Sequence, residues 1–402
     1  MENTLNSEPP KKKNWLWPIL IIIVILIACG VFLFVRKDSD KSETANSVSG
    51  SKSVEISAKV LANKFGWLGG DSDDDGAGIV EDGGAWVRPH PGPFLWDSMQ
   101  YKETAEIDFS IADATVANYS KNSVAVLATI FPFATWDQAK RANATDCQVK
   151  TDDEFLRSND KKGRGFYLPQ FRCNPNDWVA YKNWVTKTVE RYDGDGVDDM
   201  PGLTIPIKYW EVMNEPDLNY GNDNPPPDSG SSLNFYMQGP DEYEDLLIKT
   251  NEAIKAADTE AKVLIAGAVG ADPRMLNFYR QVLTNPATLT AFDIGNVHCI
   301  SNDRQTHDFN VNAYKQMLAG AGVPPKSIWV TEAEAMYGSA AEENYQNTTT
   351  STKNAISAGA EKIFFTRNQF DDFRTDMSTK GSSGNAYPSA EKFRELIESL
   401  SS

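Results

Sequence analysis

Residues 209–218 read YWEVMNEPDL. The stretch begins as a buried strand and ends on an acid, Glu215, held between Asn214 and Pro216. A strand that finishes on an unpaired carboxylate asks for a reason, and the reason depends on what surrounds it. Similar apolar, β-rich runs recur at 64–68 (KFGWL), 85–90 (AWVRPH), 124–133 (VAVLATIFPF), 207–215 (IKYWEVMNE), 262–269 (KVLIAGAV), 293–300 (DIGNVHCI), 327–334 (SIWVTEAE) and 362–368 (KIFFTRN). Most are continuous rather than alternating, as parallel strands buried on both faces require.

Helical patterns lie between these runs. NPNDWVAYKNWVTKTVERY (174–192) has an Asn or Asp cap and apolar residues at Trp178, Val179, Tyr181, Val185 and Val189. GPDEYEDLLIKTNEAIKAAD (239–258) opens with Pro and acids, a helix N-terminus. NVNAYKQMLAGAGVP (310–324) stops at Gly and Pro, and SAEKFRELIESL (389–400) closes the chain. Strand–helix alternation predicts an α/β fold with a parallel sheet, and eight strands predict a (β/α)8 TIM barrel. A doubly wound sheet would want a Gly-rich phosphate turn after its first strand, and GWLGGDSDDDG (66–76) lacks the G-x-G-x-x-G spacing.

Barrel chemistry sits at the C-terminal ends of the strands. The fourth run ends at Glu215 and the seventh at Glu332, 332 − 215 = 117 residues later. Two acids facing each other across a cleft are the equipment of glycoside hydrolysis: one protonates the leaving oxygen and the other attacks the anomeric carbon. Glu334 shares a face with Glu332 in an extended strand and is the rival nucleophile. A single acid at a strand end is ordinarily solvated or salt-bridged; the pair carries the argument. Glu211, four residues before Glu215, either pairs with Lys208 or Arg88 or turns to the helix layer.

NEP after an apolar strand, with TE closing a later one, resembles the clan A glycoside hydrolases, retaining (β/α)8 enzymes. WVRPHPGPFLWDSMQ (86–100), YWEVMNEPD and WVTEAE look most similar to family 39-like and family 5-like (cellulase-like) members. The resemblance covers roughly residues 60–400. It implies Glu215 as general acid/base, Glu332 as nucleophile and Asn214 on the substrate 2-hydroxyl. It further implies Arg88 as the arginine that keeps the nucleophile ionised, and His298 as a polar residue beside that nucleophile. Members often carry a Trp sugar platform after strand eight. Here the chain reads FFTRNQFDDF (364–373), with Arg367 and Gln369, which points to a polar or acidic sugar. Trp136 is then the stacking candidate, with core packing as its other reading. The implied function is retaining hydrolysis of β-linked O-glycosidic bonds in a carbohydrate substrate, without a required cofactor and as a monomer. A catalytically inactive surface glycan-binding protein on the same barrel is the alternative.

The rest of the chain sets the location. With 56 Asp+Glu against 39 Lys+Arg among 402 residues, its formal charge of −17 argues against nucleic acid, whose phosphates need a basic face. An apolar run, 15–35, lies between Lys11–Lys13 and Arg36–Lys37. At about 1.5 Å per residue it spans roughly 30 Å, a bilayer core. The expectation is a single-pass cell-membrane protein: cytoplasmic segment 1–14, signal anchor 15–35, flexible linker 36–53 and an extracytoplasmic barrel domain 54–402. LIAC (26–29) also resembles a lipoprotein cleavage site at Cys29, although the apolar run continues past it. Outside the cytoplasm Cys147 and Cys173 could pair, while Cys299 reads as a buried free thiol. DGDGVDD (193–199) begins like a calcium loop, with Asp193, Asp195 and Asp199 as ligands for a structural calcium, but it has no downstream bidentate Glu. Pro225–Pro227 predict a stiff loop beside the fourth strand.

Overall fold

A computed structural model describes residues 53–69, 75–149, 168–218, 234–300, 306–366 and 390–401. Eight parallel strands close into a barrel in sequence order: β1 (Phe65–Gly69), β2 (Trp86–Pro89), β3 (Ala125–Ile130), β4 (Tyr209–Asn214), β5 (Lys262–Gly267), β6 (Ile294–Ile300), β7 (Ser327–Glu334) and β8 (Ala360–Phe365). A helix follows each: α1 (Ala77–Glu81), α2 (Ser110–Lys121), α3 (Trp178–Glu190), α4 (Pro240–Ala257), α5 (Pro273–Val282), α6 (Val311–Gly320), α7 (Ala341–Ala358) and α8 (Ala390–Ser401). The eight runs expected as strands are all strands, and the expected barrel is the fold. The four anticipated helices are α3, α4, α6 and α8; α1, α2, α5 and α7 were not anticipated.

Local chemistry sets the helix ends. Asp177 caps α3 by accepting the Val179 and Ala180 N–H groups at 2.9 and 3.0 Å. Pro240 opens α4, and Glu242 reaches back to the Gly239 N–H at 3.1 Å. At the end of α7, Gly359 takes φ 99°, a left-handed turn that a side chain would oppose. Among the described residues no helix is long and apolar enough to cross a membrane. The anticipated segments 1–14 and 15–35, linker residues 36–52, Pro225–Pro227, Arg367 and Gln369 lie outside the described residues.

Side chains two apart on a strand share a face, and the barrel interior fills in tiers. At the N-terminal end Trp86, Tyr209, Trp329 and Phe364 pack ring against ring at 4.9–6.0 Å. Two residues up β2 and β4, the interior turns polar at Arg88 and Glu211. A short helix, Ala58–Ala62, closes the floor, and the Trp86 indole N–H donates to Val60 O at 2.9 Å. Lys362 stands in this floor with its ammonium 4.4 Å from the Trp86 ring centroid. It donates to Leu61 O and Asn63 O, both at 2.9 Å, and burial lowers its pKa to about 8. Lys362→Met would leave two carbonyls without their donor and remove the cation from the ring face. We expect it to lower stability by about 2–3 kcal/mol, measured by urea unfolding, while the residues at the other end of the barrel keep their geometry.

Candidate active site

The C-terminal end of the barrel holds three buried carboxyls around one buried guanidinium. Arg88, fully buried on β2, donates through Nε to Glu211 Oε2 (2.6 Å), through Nη1 to Glu332 Oε1 (2.8 Å) and through Nη2 to Asn214 Oδ1 (2.7 Å). Burial works against its charge, and Glu211 and Glu332 more than offset that. Glu211 also accepts from Thr129 Oγ1 (2.6 Å) and Asn296 Nδ2 (2.7 Å). Of the alternatives left open for Glu211, pairing with Arg88 is the one observed; Lys208 bridges to Asp258 at 2.8 Å instead.

Two backbone irregularities aim the side chains. In a regular strand, neighbours point to opposite faces. Asn214 and Glu215 are neighbours, yet Asn214 meets Arg88 and Glu215 meets His298. Met213 and Glu215 achieve this at φ 77° and 39°, a left-handed region that costs a non-glycine residue about 1–3 kcal/mol. On β7 the register slips: Val297 faces Val330 while His298 faces Glu332, which leaves Thr331 as an extra residue. Such a bulge re-aims side chains, and Thr331 and Glu332 both reach the interior network.

His298 lies between the acids. Its Nδ1 is 2.8 Å from Glu215 Oε1 and 3.8 Å from Glu332 Oε1, and its Nε2 is 2.8 Å from Thr331 Oγ1. It was expected beside the nucleophile candidate. It is near Glu332, but its hydrogen bond goes to Glu215, because the Thr331 contact turns Nδ1 toward β4. One oxygen each of Glu215 and Glu332 and one nitrogen of His298 lie within 4.8 Å of one another. Burial, with Glu211, pushes Glu215 up to about 7 against the pull of Arg88. Burial raises Glu332 as well, and His298 and Arg88 oppose it. Of these two acids, Glu332 takes a direct hydrogen bond from the cation and Glu215 does not. Burial lowers His298 to about 4, so its ring is neutral at neutral pH.

The remaining candidates separate. Asn214 Nδ2 is buried without a hydrogen-bond partner among the described residues, leaving a donor for a ligand. Glu334 is buried too, but its carboxylate accepts from Thr366 Oγ1 at 3.0 Å and is not paired with Arg88. Trp136 does not join the acids. Its indole N–H donates to Gln100 O (2.7 Å), its ring meets the Trp96 ring at 5.1 Å, and Lys140 lies over it at 5.2 Å. The Trp96 ring in turn packs on Tyr181 and Trp184 of α3, so Trp136 extends the packing under the helix layer. Two residues were missed. His90 stands on the Arg88 side at 3.4 Å from Nη1, between Phe131 and Phe235, and burial holds its ring neutral. Its signal was its place two residues beyond Arg88. Asp217, fully buried, accepts the Val269 N–H at 3.1 Å, and burial beside Glu215 holds it well above the usual carboxylate range.

Away from this site, Cys147 and Cys173 form a disulfide, and Cys299 is buried and outside any disulfide among the described residues. Oxygens of Asp193, Asp195 and Asp199 converge within 4.8 Å, each also accepting a loop N–H.

Gly267, which ends β5, makes room for the imidazole. A Cβ there would sit 2.0 Å from His298 Nε2 and 2.4 Å from Cδ2. Gly267→Ala must therefore push the ring off Glu215 and Thr331. We expect at least a tenfold fall in kcat/KM on any substrate of the site with a stability cost of about 1–3 kcal/mol. Steady-state kinetics alongside thermal unfolding separate the two effects.

No family model and no curated protein matches the chain. Solved structures do. A glucosidase from Croceicoccus marinus matches with TM-score 0.56 at 13% identity over 85% of this chain and 68% of its own. A GH39 β-xylosidase from Caulobacter crescentus matches with TM-score 0.54 at 14% identity over 86% and 74%. A family 39 glycoside hydrolase from the gut symbiont Bacteroides cellulosilyticus matches with TM-score 0.53 at 14% identity over 85% and 65%, so this chain spans just under two thirds of that one. At such identities the likeness is one of fold: all share a (β/α)8 barrel architecture with the chain described here.

Proposed function

We propose that the chain is a retaining glycoside hydrolase acting on β-linked carbohydrate, with Glu332 as nucleophile and Glu215 as general acid/base. One observation carries the reading. Two buried carboxyls stand at the barrel mouth with oxygens within 4.8 Å, one bound to a cation and the other to a neutral imidazole. Oxygens that approach within 4.8 Å favour the roughly 5–5.5 Å carboxyl separation of retaining enzymes over the 6.5–9.5 Å that leaves room for an inverting water. The names of the structural neighbours, a glucosidase and a β-xylosidase among them, support the same class.

The chemistry follows from the environments. With Glu332 Oε1 bound by Arg88, Oε2 attacks the anomeric carbon while the Glu215 proton passes to the departing glycosidic oxygen. The carbon–oxygen bond to the leaving group breaks and an ester to Glu332 forms. Water then attacks the same carbon, Glu215 takes its proton, and the ester bond breaks to restore the Glu332 carboxylate. The free Asn214 amide N–H is placed to bind a sugar hydroxyl. Tethering through residues 15–35 outside the cytoplasm agrees with the Cys147–Cys173 disulfide, which persists in an oxidising compartment. Calcium at Asp193, Asp195 and Asp199 would be structural, and added calcium should then raise the melting temperature of the wild type but not of Asp193→Asn.

A panel of activated 2-fluoro glycosides tests the reading. Trapping should place the label on Glu332; a label on Glu334, or neither trapping nor hydrolysis across the panel, overturns it. Glu215→Gln should lose about 10²–10⁴-fold on natural glycans and far less on aryl glycosides with good leaving groups. Because Glu215 must be protonated to act, kcat/KM should fall as pH rises through about 7.

A further inference from the structure

Beneath the two glutamates, hydrogen bonds link four strands, and their chemistry allows only one direction. The Glu211 carboxylate, paired with Arg88, can only accept. Its Oε1 takes a proton from Asn296 Nδ2 at 2.7 Å, so the Asn296 carbonyl oxygen points the other way. That oxygen lies 2.8 Å from Thr331 Oγ1 and can only accept, so the single hydroxyl proton of Thr331 is directed to it. Thr331 Oγ1 must then accept from His298 Nε2, also at 2.8 Å. A neutral imidazole with its proton on Nε2 has a lone pair on Nδ1, and that nitrogen sits 2.8 Å from Glu215 Oε1. Two lone pairs at that distance repel; a carboxylic acid proton between them makes a hydrogen bond.

We infer that Glu211, Asn296, Thr331 and His298 form a one-way relay that fixes the His298 tautomer and holds Glu215 in its protonated, donor form. Glu211, Asn296 and Thr331 are positioning residues acting through His298. The inference rests on reading Glu215 as the acid. The charged and titratable groups facing the Glu215–His298 pair are Arg88 from β2 and His90 just beyond it, Glu211 from β4, Asp217 after it, Tyr279 from α5 and Glu332 from β7. Arg88 gives its hydrogen bonds to Glu211, Glu332 and Asn214, not to Glu215. Burial pushes both groups the same way, lowering His298 and raising Glu215. The relay also serves the second half of the reaction. Once Glu215 has given up its proton, its Oε1 faces the Nδ1 lone pair with no donor to settle it, so it draws a proton from water strongly. The other tautomer, with N–H at Nδ1, would stabilise the carboxylate, so less Glu215 would hold its proton for the first step and the base of the second step would be weaker.

The chain has three histidines, so its full-length form labelled with ¹⁵N at histidine alone yields three ring systems, and His298→Gln assigns one. At about pH 6 the wild type should show His298 as a neutral Nε2–H tautomer. Thr331→Val, which removes the acceptor, should abolish that preference and move the basic limb of the kcat/KM–pH profile down by about one unit, a tenfold loss of proton affinity. Thr331→Ser should restore both. A wild-type ring that is Nδ1–H or imidazolium overturns the relay whether or not Thr331→Val folds. So does a folded Thr331→Val with tautomer and basic limb unchanged. An Nε2–H tautomer in a protein that cleaves no glycoside supports the relay and removes the proposed function.

Discussion

The Arg88 guanidinium is the group around which the interior is arranged. A fully buried cation is several kcal/mol less stable than a solvated one unless its donors and charge are met. Arg88 meets them on two sides of the barrel at once: Glu211 and Asn214 on β4, Glu332 on β7. These contacts run across the bore, not along the sheet ladder, so they set how far the walls stand apart at the mouth. Removing one partner would leave the others desolvated, which is why the tier holds together as a unit. The aromatic floor two residues below is the dry counterpart of this tier, and it keeps water from the charges above.

That arrangement needs side chains that a regular barrel would not present. Strand geometry hides every second residue in the helix layer. The left-handed turns at Met213 and Glu215 bring two neighbours into the bore, and the extra residue on β7 does the same for Thr331 and Glu332. Each distortion costs local stability, and each sits beside a candidate reacting group. Gly267 is the third concession: β5 gives up a side chain so that the His298 ring can lie against its backbone. These three distortions lie at the C-terminal end; the floor is well packed, with its own shift in the β7–β8 register between Ile328 and Trp329.

Much of this was legible in the sequence, for physical reasons that differ from residue to residue. The eight strands showed because parallel strands are buried on both faces and read as unbroken apolar runs. Glu215, Glu332 and Arg88 showed because strand ends are where such barrels carry polar groups. Helix α7 was hidden because its buried stripe, Asn344, Thr348, Ser351, Thr352 and Ala355, keeps the helical period but is small and polar, invisible to a search for hydrophobic spacing. In α2 small residues, Ala112 and Thr115, dilute the stripe in the same way. Helix α5 carries a regular apolar stripe in Leu276, Tyr279 and Val282. Trp136 could be read two ways because a ring that packs in a core and a ring that stacks on a sugar have the same composition. The bulge at Thr331 and the fit of Gly267 to His298 depend on contacts between strands, so no local pattern encodes them.

The proton inventory follows from counting charges in the bore. One guanidinium faces three carboxyls, Glu211, Glu215 and Glu332, and the imidazole between two of them is neutral. Three ionised carboxyls would leave two uncompensated negative charges in a buried space, a state that titrates away. The proton therefore goes to the carboxyl with the weakest claim on Arg88. Glu211 and Glu332 each hold a hydrogen bond from it, at 2.6 and 2.8 Å, and Glu215 holds none. The pair titrates as a unit, so protonating Glu215 removes the charge that most opposes ionisation of Glu332. The asymmetry between the acids thus comes less from either side chain than from where the single cation is placed.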